Sequence, residues 1–234
     1  MPAAQPPTAA PPEPATVERV EVAGDRAAWM VRGKDGAPPR IVFMPGICSS
    51  SYAYLMNFRE AARAHGGVVA IDGDLPCGAA NSGYHSFSWD PVRQRARLEK
   101  ALVAAGVTAI PKEGLTVVGY SAGAGIGELM AARWPDRYSE VVLIGAPSDP
   151  STIHLAGARA VVTMSCSRDV PARMKDAAKR LLARGVPASY LEMPGCTHGN
   201  IADGDRVFLE AFDWLDANAR APREDATERS LVGM

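Results

Sequence analysis

Short apolar runs rich in Val and Ile recur along this chain, and most are followed by a stretch of helical periodicity. The runs 41-IVFMPG-46, 68-VVAID-72, 115-LTVVGY-120, 141-VVLIG-145, 160-AVVTM-164 and 188-ASYLEM-193 read as strands. Segments 54–65, 92–105, 122–133, 171–184 and 205–218 read as helices. Trp134-Pro135 stops the third of these and Gly185 the fourth. Two alternating segments, 17-VERVEV-22 and 27-AAWMVR-32, flank Gly24 and Asp25 and predict a leading hairpin. The central runs lack the strict alternation of a sheet with one wet face, so both of their faces must be covered. The fold class predicted is α/β, a mostly parallel eight-stranded sheet with helices on both faces. Such sheets bind ligands beyond the carboxyl ends of their strands, so functional side chains are expected just after strands.

A chain of 234 residues supplies one substantial core and is short for two. Residues 1–16 are Pro/Ala-rich and read as a flexible tether, 17–219 as the folded α/β domain, and 220–234 as a flexible, charged C-terminal tail. No basic stretch followed by an apolar one marks a signal peptide, and no apolar run is long enough to span a bilayer. A formal net charge of -1 gives no general electrostatic reason for binding nucleic acid or an anionic membrane, so no nucleic-acid partner is expected.

The sharpest local signal is 119-GYSAG-123, a G-x-S-x-G turn between a buried strand and a helix. There a serine sits on a tight turn that lifts its hydroxyl above the sheet edge. The following helix aims amide dipoles at any negative charge that develops nearby. Ser121 is therefore the candidate nucleophile, and the Ala122 amide a candidate oxyanion donor. Of the four histidines, His198 lies just after a strand, in 194-PGCTHGN-200 between two glycines. It is the candidate general base. Asp169 follows the strand 160–164 and is the candidate partner that fixes the imidazole tautomer. Asp149, Asp203 and Asp205 are its rivals. Asp72 and Asp74 read as loop caps or rim groups, His85 as a polar loop residue, and His65 as a helix-terminal one.

In these motifs and their order, Ser121…Asp169…His198, the chain resembles the α/β-hydrolase superfamily from about Val17 to Ala219. The resemblance implies a nucleophile after strand five, an acid after strand six or seven, and a histidine after strand eight. It implies Ile47 as the second oxyanion amide, although Pro45-Gly46 stands where the family often has His-Gly. Only 14 residues separate Gly145 from Ala160, too few for the large cap this family often inserts there. The site is then roofed by loops 47–57, 73–91 and 147–157, with Tyr84, Phe87 and Trp89 as candidate pocket contacts or loop anchors. The implied activity is serine-dependent hydrolysis of a small-molecule acyl ester through an acyl-enzyme, with no cofactor and no metal. A thioesterase or a peptidase/amidase would use the same residues. A non-catalytic binding protein on this fold is the alternative of a different class.

Cys48, Cys77, Cys166 and Cys196 all fall in post-strand loops, and four cysteines allow three pairings. The superfamily's sheet order makes Cys48–Cys77 and Cys166–Cys196 the neighbouring pairs. Disulfides there favour a periplasmic or secreted setting. Free thiols in a cytoplasmic protein and zinc ligation are the alternatives.

Overall fold

The computed structural model describes residues 13–223 and 229–231. Eight strands form the central sheet: β1 (Glu18–Val20), β2 (Ala28–Arg32), β3 (Ile41–Met44), β4 (Gly67–Ala70), β5 (Leu115–Tyr120), β6 (Tyr138–Ile144), β7 (Ala160–Cys166) and β8 (Ala188–Met193). Their spatial order is β1-β2-β4-β3-β5-β6-β7-β8. The first hairpin is antiparallel and joins β4 antiparallel, whereas every pair from β4 to β8 is parallel. This is the mostly parallel eight-stranded α/β sheet that the Val/Ile runs predict.

Six helices connect the strands: α1 (Ser51–Leu55), α2 (Arg59–Ala64), α3 (Pro91–Ala104), α4 (Ala122–Arg133), α5 (Pro171–Ala183) and α6 (Gly204–Asn218). Alternate residues of each strand serve opposite faces. Val42, Met44, Val117, Val141 and Leu143 pack in one core with Leu98 and Leu102 of α3, Met130 of α4 and Leu181 of α5. Ile41, Phe43, Val118, Val142 and Ile144 pack in the other with Leu55, Phe58, Phe208 and Phe212. Each such side chain stabilises the fold by roughly 1.5–3 kcal/mol relative to exposure.

The segment expected as one helix over 54–65 is two. Asp205 at the start of α6 accepts from the Glu60 and Ala61 amides, satisfying the first N–H groups of α2. Gly204 packs so closely on the Asn57 carbonyl that a Cβ there would collide with it. The α6 contact therefore sets the break, and nothing within 54–65 announces it. The segment expected as a plain loop after β4 contains a small hairpin, Leu75–Pro76 against His85–Ser86. β6 begins at Tyr138, three residues earlier than its apolar run suggests.

Of the expected tether, residues 1–12 lie outside the described residues. At its end the Ala15 amide donates to Glu60 Oε1 at 2.7 Å, and the Arg63 side chain donates to the Glu13 carbonyl at 2.8 Å. Within the expected C-terminal tail, Arg229–Ser230 pairs antiparallel with Ala109–Ile110. Leu231 is buried there and its amide donates to the Thr108 carbonyl. Among the described residues of that segment the buried side chain is Leu231, and no apolar stripe precedes it in the sequence.

Candidate active site

The carboxyl ends of β3, β5, β7 and β8 bring the predicted site residues to one rim of the sheet. Ser121 follows β5 with φ 52 and ψ -116, a conformation that costs a non-glycine residue roughly 1–3 kcal/mol. Packing holds the turn in place. The Ser121 amide donates to the Ile144 carbonyl at 2.8 Å, and the Gly123 amide donates to the Pro45 carbonyl at 3.2 Å. Gly123 lies so near the Met44 and Pro45 carbonyls that any side chain would collide with them. This close approach explains the last glycine of G-x-S-x-G.

His198 Nε2 lies 3.0 Å from Ser121 Oγ, and His198 Nδ1 lies 2.7 Å from Asp169 Oδ2. The Asp169 carboxylate is mostly buried, while the imidazole is partly open to solvent. The rival acids are engaged elsewhere. Asp149 faces Arg173 at 3.4 Å, Asp203 pairs with Arg206, and Asp205 caps α2. Among the other histidines, His65 lies between Asp213 and Asp216, His154 on Glu128, and His85 beside Arg26.

Ile47 follows Gly46, where a Cβ would lie 3.3 Å from Ser121 Cβ. Ala122 opens α4, where an amide has no intrahelical acceptor. Both stand beside the serine on the strand-end rim. The cysteines form two disulfides, Cys48–Cys77 and Cys166–Cys196, with Cα atoms 5.9 Å and 5.0 Å apart. The second joins the loop of Asp169 to the loop of His198. Two hydrogen bonds run beside it, from the Arg168 amide to the Cys196 carbonyl and from the Gly195 amide to Ser167 Oγ. The first ties the Ile47 loop to the small hairpin, and the Cys48 amide donates to the His85 carbonyl alongside.

The three aromatic candidates part ways. Phe87 is 2% exposed and belongs to the core beside Val69 and Leu98, so it anchors its loop. Tyr84 borders a cavity of about 380 Å³ together with Cys48, Ser49, Tyr54 and Ile201. Trp89 is exposed, and its ring lies 2.7 Å from where a Cβ on Gly125 would stand. A smaller cleft of about 110 Å³ lies over Ser121 and His198, walled by Pro147, Val170, Arg173 and Met174. A separate cavity of about 400 Å³ opens at the opposite end of the strands, between Arg40, His65, Glu140 and Arg159, and no predicted site residue borders it.

Two tyrosines that sequence reasoning passed over hold the histidine loop. Tyr120 Oη accepts from the Gly199 amide at 2.8 Å and donates to the Asn200 carbonyl at 3.2 Å. Its ring meets the His198 ring edge-on, with centroids 5.5 Å apart. Burial pushes its hydroxyl up to about 12, so it remains a donor across the neutral range. Tyr54 Oη donates to the Gly199 carbonyl at 2.8 Å. The position of Tyr120 inside G-Y-S was the available signal. Asp72 accepts from the amide and hydroxyl of Ser51, and Asp74 from Ser88, Arg93 and Gln94, so both brace roof loops.

No family model matches the sequence, and no curated protein matches it. Solved structures do. An esterase of Pyrobaculum calidifontis is similar with a TM-score of 0.61 at 16% identity, over 89% of this chain and 87% of that one. The fluorophosphonate-binding serine hydrolase F of Staphylococcus aureus is similar with a TM-score of 0.64 at 14% identity, over 87% and 99%. The esterase domain of a Rhodothermus marinus protein gives 0.57 at 16% identity, over 88% and 99%. At such identities the likeness speaks for the backbone arrangement, and it agrees with the strand order above. The chain has the α/β-hydrolase fold.

Proposed function

We propose that this protein is a serine hydrolase that cleaves carboxylic esters through an acyl-enzyme. The observation that carries the reading is the His198 imidazole lying between Asp169 Oδ2 at 2.7 Å and Ser121 Oγ at 3.0 Å. Asp169 accepts a hydrogen bond from Nδ1–H, which leaves Nε2 as the acceptor that faces the serine. Nε2 takes the Ser121 proton as Oγ attacks the ester carbonyl carbon. The carbonyl oxygen becomes an oxyanion, and the Ile47 and Ala122 amides donate to it. Imidazolium returns the proton to the departing alkoxide, so the alcohol leaves neutral and the acyl group stays on Oγ. Water then attacks the acyl carbon as the same nitrogen takes its proton; the second oxyanion collapses, the bond from the acyl carbon to Oγ breaks, the imidazolium returns the proton to Oγ, and the carboxylic acid departs.

The roof supports an ester or thioester with an accessible acyl group. The segment between β6 and β7 lies low on α4, with the Ser151 amide and His154 Nδ1 both on Glu128. The cleft of about 110 Å³ over Ser121 and His198 has no residue of 151–157 in its wall. Similarity to solved esterases and serine hydrolases adds to this reading. The two disulfides support an oxidising compartment, the periplasm or outside of the cell, as the site of action. Among the described residues no helix is long and apolar enough to cross a membrane.

A panel of acyl esters of graded length, matched thioesters and amides tests the proposal, with Ser121→Ala as control. Short and medium acyl esters are expected to turn over, and S121A is expected to lose at least about 10³-fold in kcat/KM. Preferred turnover of thioesters would reassign the substrate class. Turnover no higher than that of S121A on every class would overturn the enzymatic reading.

A further inference from the structure

Two clefts meet the Ser121–His198 pair, and their linings differ in kind. The cleft of about 110 Å³ directly over the pair has Pro147, Val170 and Met174 in its wall. Its one guanidinium, on Arg173, is taken up by the Ala146 carbonyl at 2.9 Å and by Asp149 at 3.4 Å. This small, largely apolar space fits a short alkyl group. The cavity of about 380 Å³ lies against Gly199 and Asn200, the two residues after His198. It reaches the nucleophile at Ser49. The point that a Cβ on Gly46 would occupy is 3.7 Å from Ser49 Oγ and 3.9 Å from Ser121 Oγ.

The larger cavity is polar, yet none of the residues that line it is charged. Ser49, Ser50, Tyr54, Asn57, Tyr84 and Asn200 supply its polar groups. Several of these have bonding capacity left over. Asn57 Nδ2 donates to the Ala53 carbonyl and Asn200 Nδ2 to Thr197 Oγ1, and among the described residues no protein donor meets either side-chain oxygen. Tyr84 Oη has no protein partner among them either, and its ring is about half exposed. The Ser50 hydroxyl oxygen accepts from the Ala53 amide, which leaves its O–H free to donate. The framework is braced. The Cys48–Cys77 disulfide joins the two loops, the Cys77 amide donates to the Tyr84 carbonyl at 3.0 Å, and Ser49 Oγ donates to the Gly46 carbonyl at 2.8 Å. Groups held this way lose little freedom when a ligand arrives.

This lining discriminates among substituents. A charged group would leave water without an opposite charge to receive it. An alkyl group would cover amide oxygens and hydroxyls without pairing them. A neutral group rich in hydroxyls donates to the Asn57 and Asn200 oxygens, accepts from Ser50 and Tyr84, and can lay its C–H face on the Tyr84 ring. We infer that the cavity is a subsite for an uncharged, hydroxyl-rich group, a sugar or polyol, on one side of the ester, while the cleft over Ser121 takes a short alkyl group on the other. The inference rests on the reading of Ser121 as nucleophile and narrows the substrate class of that site.

Matched ester pairs test it. 6-O-Acetylglucose against cyclohexylmethyl acetate puts the hydroxyls on the alcohol, and methyl gluconate against methyl hexanoate puts them on the acid. In one pair the hydroxylated ester is expected to have a kcat/KM at least about tenfold higher, and that pair names the side that enters the cavity. The double variant Asn57→Ala, Tyr84→Ala is expected to lower this ratio by about tenfold, chiefly through the KM of the hydroxylated ester. A general loss of fold or activity cancels in the ratio. Binding is read separately on the S121A protein by saturation-transfer NMR with the two hydroxylated esters. Binding of one of them is expected, and its loss when the two substitutions are added. Ratios near one in both pairs, or a ratio that the double variant leaves unchanged, would overturn the inference while ester turnover upholds the nucleophile. Cavity-dependent binding to S121A, with no turnover of any ester by the parent protein, would support the subsite and sink the nucleophile assignment instead.

Discussion

Asp169 and His198 lie 2.7 Å apart across two loops that a disulfide fastens together, Cys166 standing three residues before the aspartate and Cys196 two before the histidine. Their bond depends on the mutual placement of the ends of β7 and β8. The disulfide closes a segment of 30 residues, which in a chain-entropy picture stabilises the fold by roughly 3–4 kcal/mol. Replacing both cysteines by alanine is expected to lower the unfolding free energy, read from urea titration, by an amount in that range and to reduce ester kcat/KM. Unchanged kinetics in the double variant would show that hydrogen bonding alone holds the two loops.

Gly145 adopts φ 51, and a Cβ there would lie 3.1 Å from both Asp169 Oδ2 and His198 Cε1. Gly145→Ala therefore presses on the carboxylate and imidazole while also straining the backbone. Activity is expected to fall by about 10–100-fold, since small misplacements of reacting groups are costly. Stability is expected to fall by roughly 1–2 kcal/mol. Steady-state kinetics beside urea unfolding would separate the two effects.

Tyr120→Phe removes the acceptor of the Gly199 amide and the donor to the Asn200 carbonyl. The ring that meets His198 stays in place. A destabilisation of about 1–3 kcal/mol is expected for the unpaired backbone groups. A lower kcat with little change in KM is the expected kinetic result, read from initial rates on a soluble ester.

Asp74 illustrates acid sensitivity. Burial alone would raise its carboxyl, but hydrogen bonds from Ser88, Gln94 and Arg93 outweigh it and hold the group well below the usual carboxylate range. A pKa lower in the folded than in the unfolded state means that the unfolded chain binds the proton more tightly. The stabilisation is thus complete above the unfolded value and is lost as pH falls through the folded one. Asp74→Asn is expected to cost about 1–3 kcal/mol at pH 7. The gap to the native protein should narrow toward pH 3, measured by urea midpoints along a pH series.

The legible parts of this molecule were those in which neighbouring residues carry the information. β5 is Leu-Thr-Val-Val-Gly-Tyr running straight into Ser121, and its strand, turn and helix all lie within one local stretch. Asp169 and His198 were legible because each follows a recognisable apolar strand. The break between α1 and α2 was not, because Gly204 and Asp205, far along the chain, impose it. Phe87 could be read as pocket or anchor, and only the packing beside Val69 and Leu98 decides for the anchor. Tyr120 sat within the motif, yet its two hydrogen bonds reach across 79 and 80 residues of chain.

The most direct measurement is covalent labelling with a fluorophosphonate followed by peptide mapping. The Ser121 hydroxyl, proposed as the nucleophile, lies 3.0 Å from His198 Nε2, so one phosphonyl group per chain is expected on Ser121. The His198→Ala protein is expected to label at least about 10³-fold more slowly. An unlabelled Ser121 in folded protein, or an adduct formed equally fast without the imidazole, would contradict the assignment.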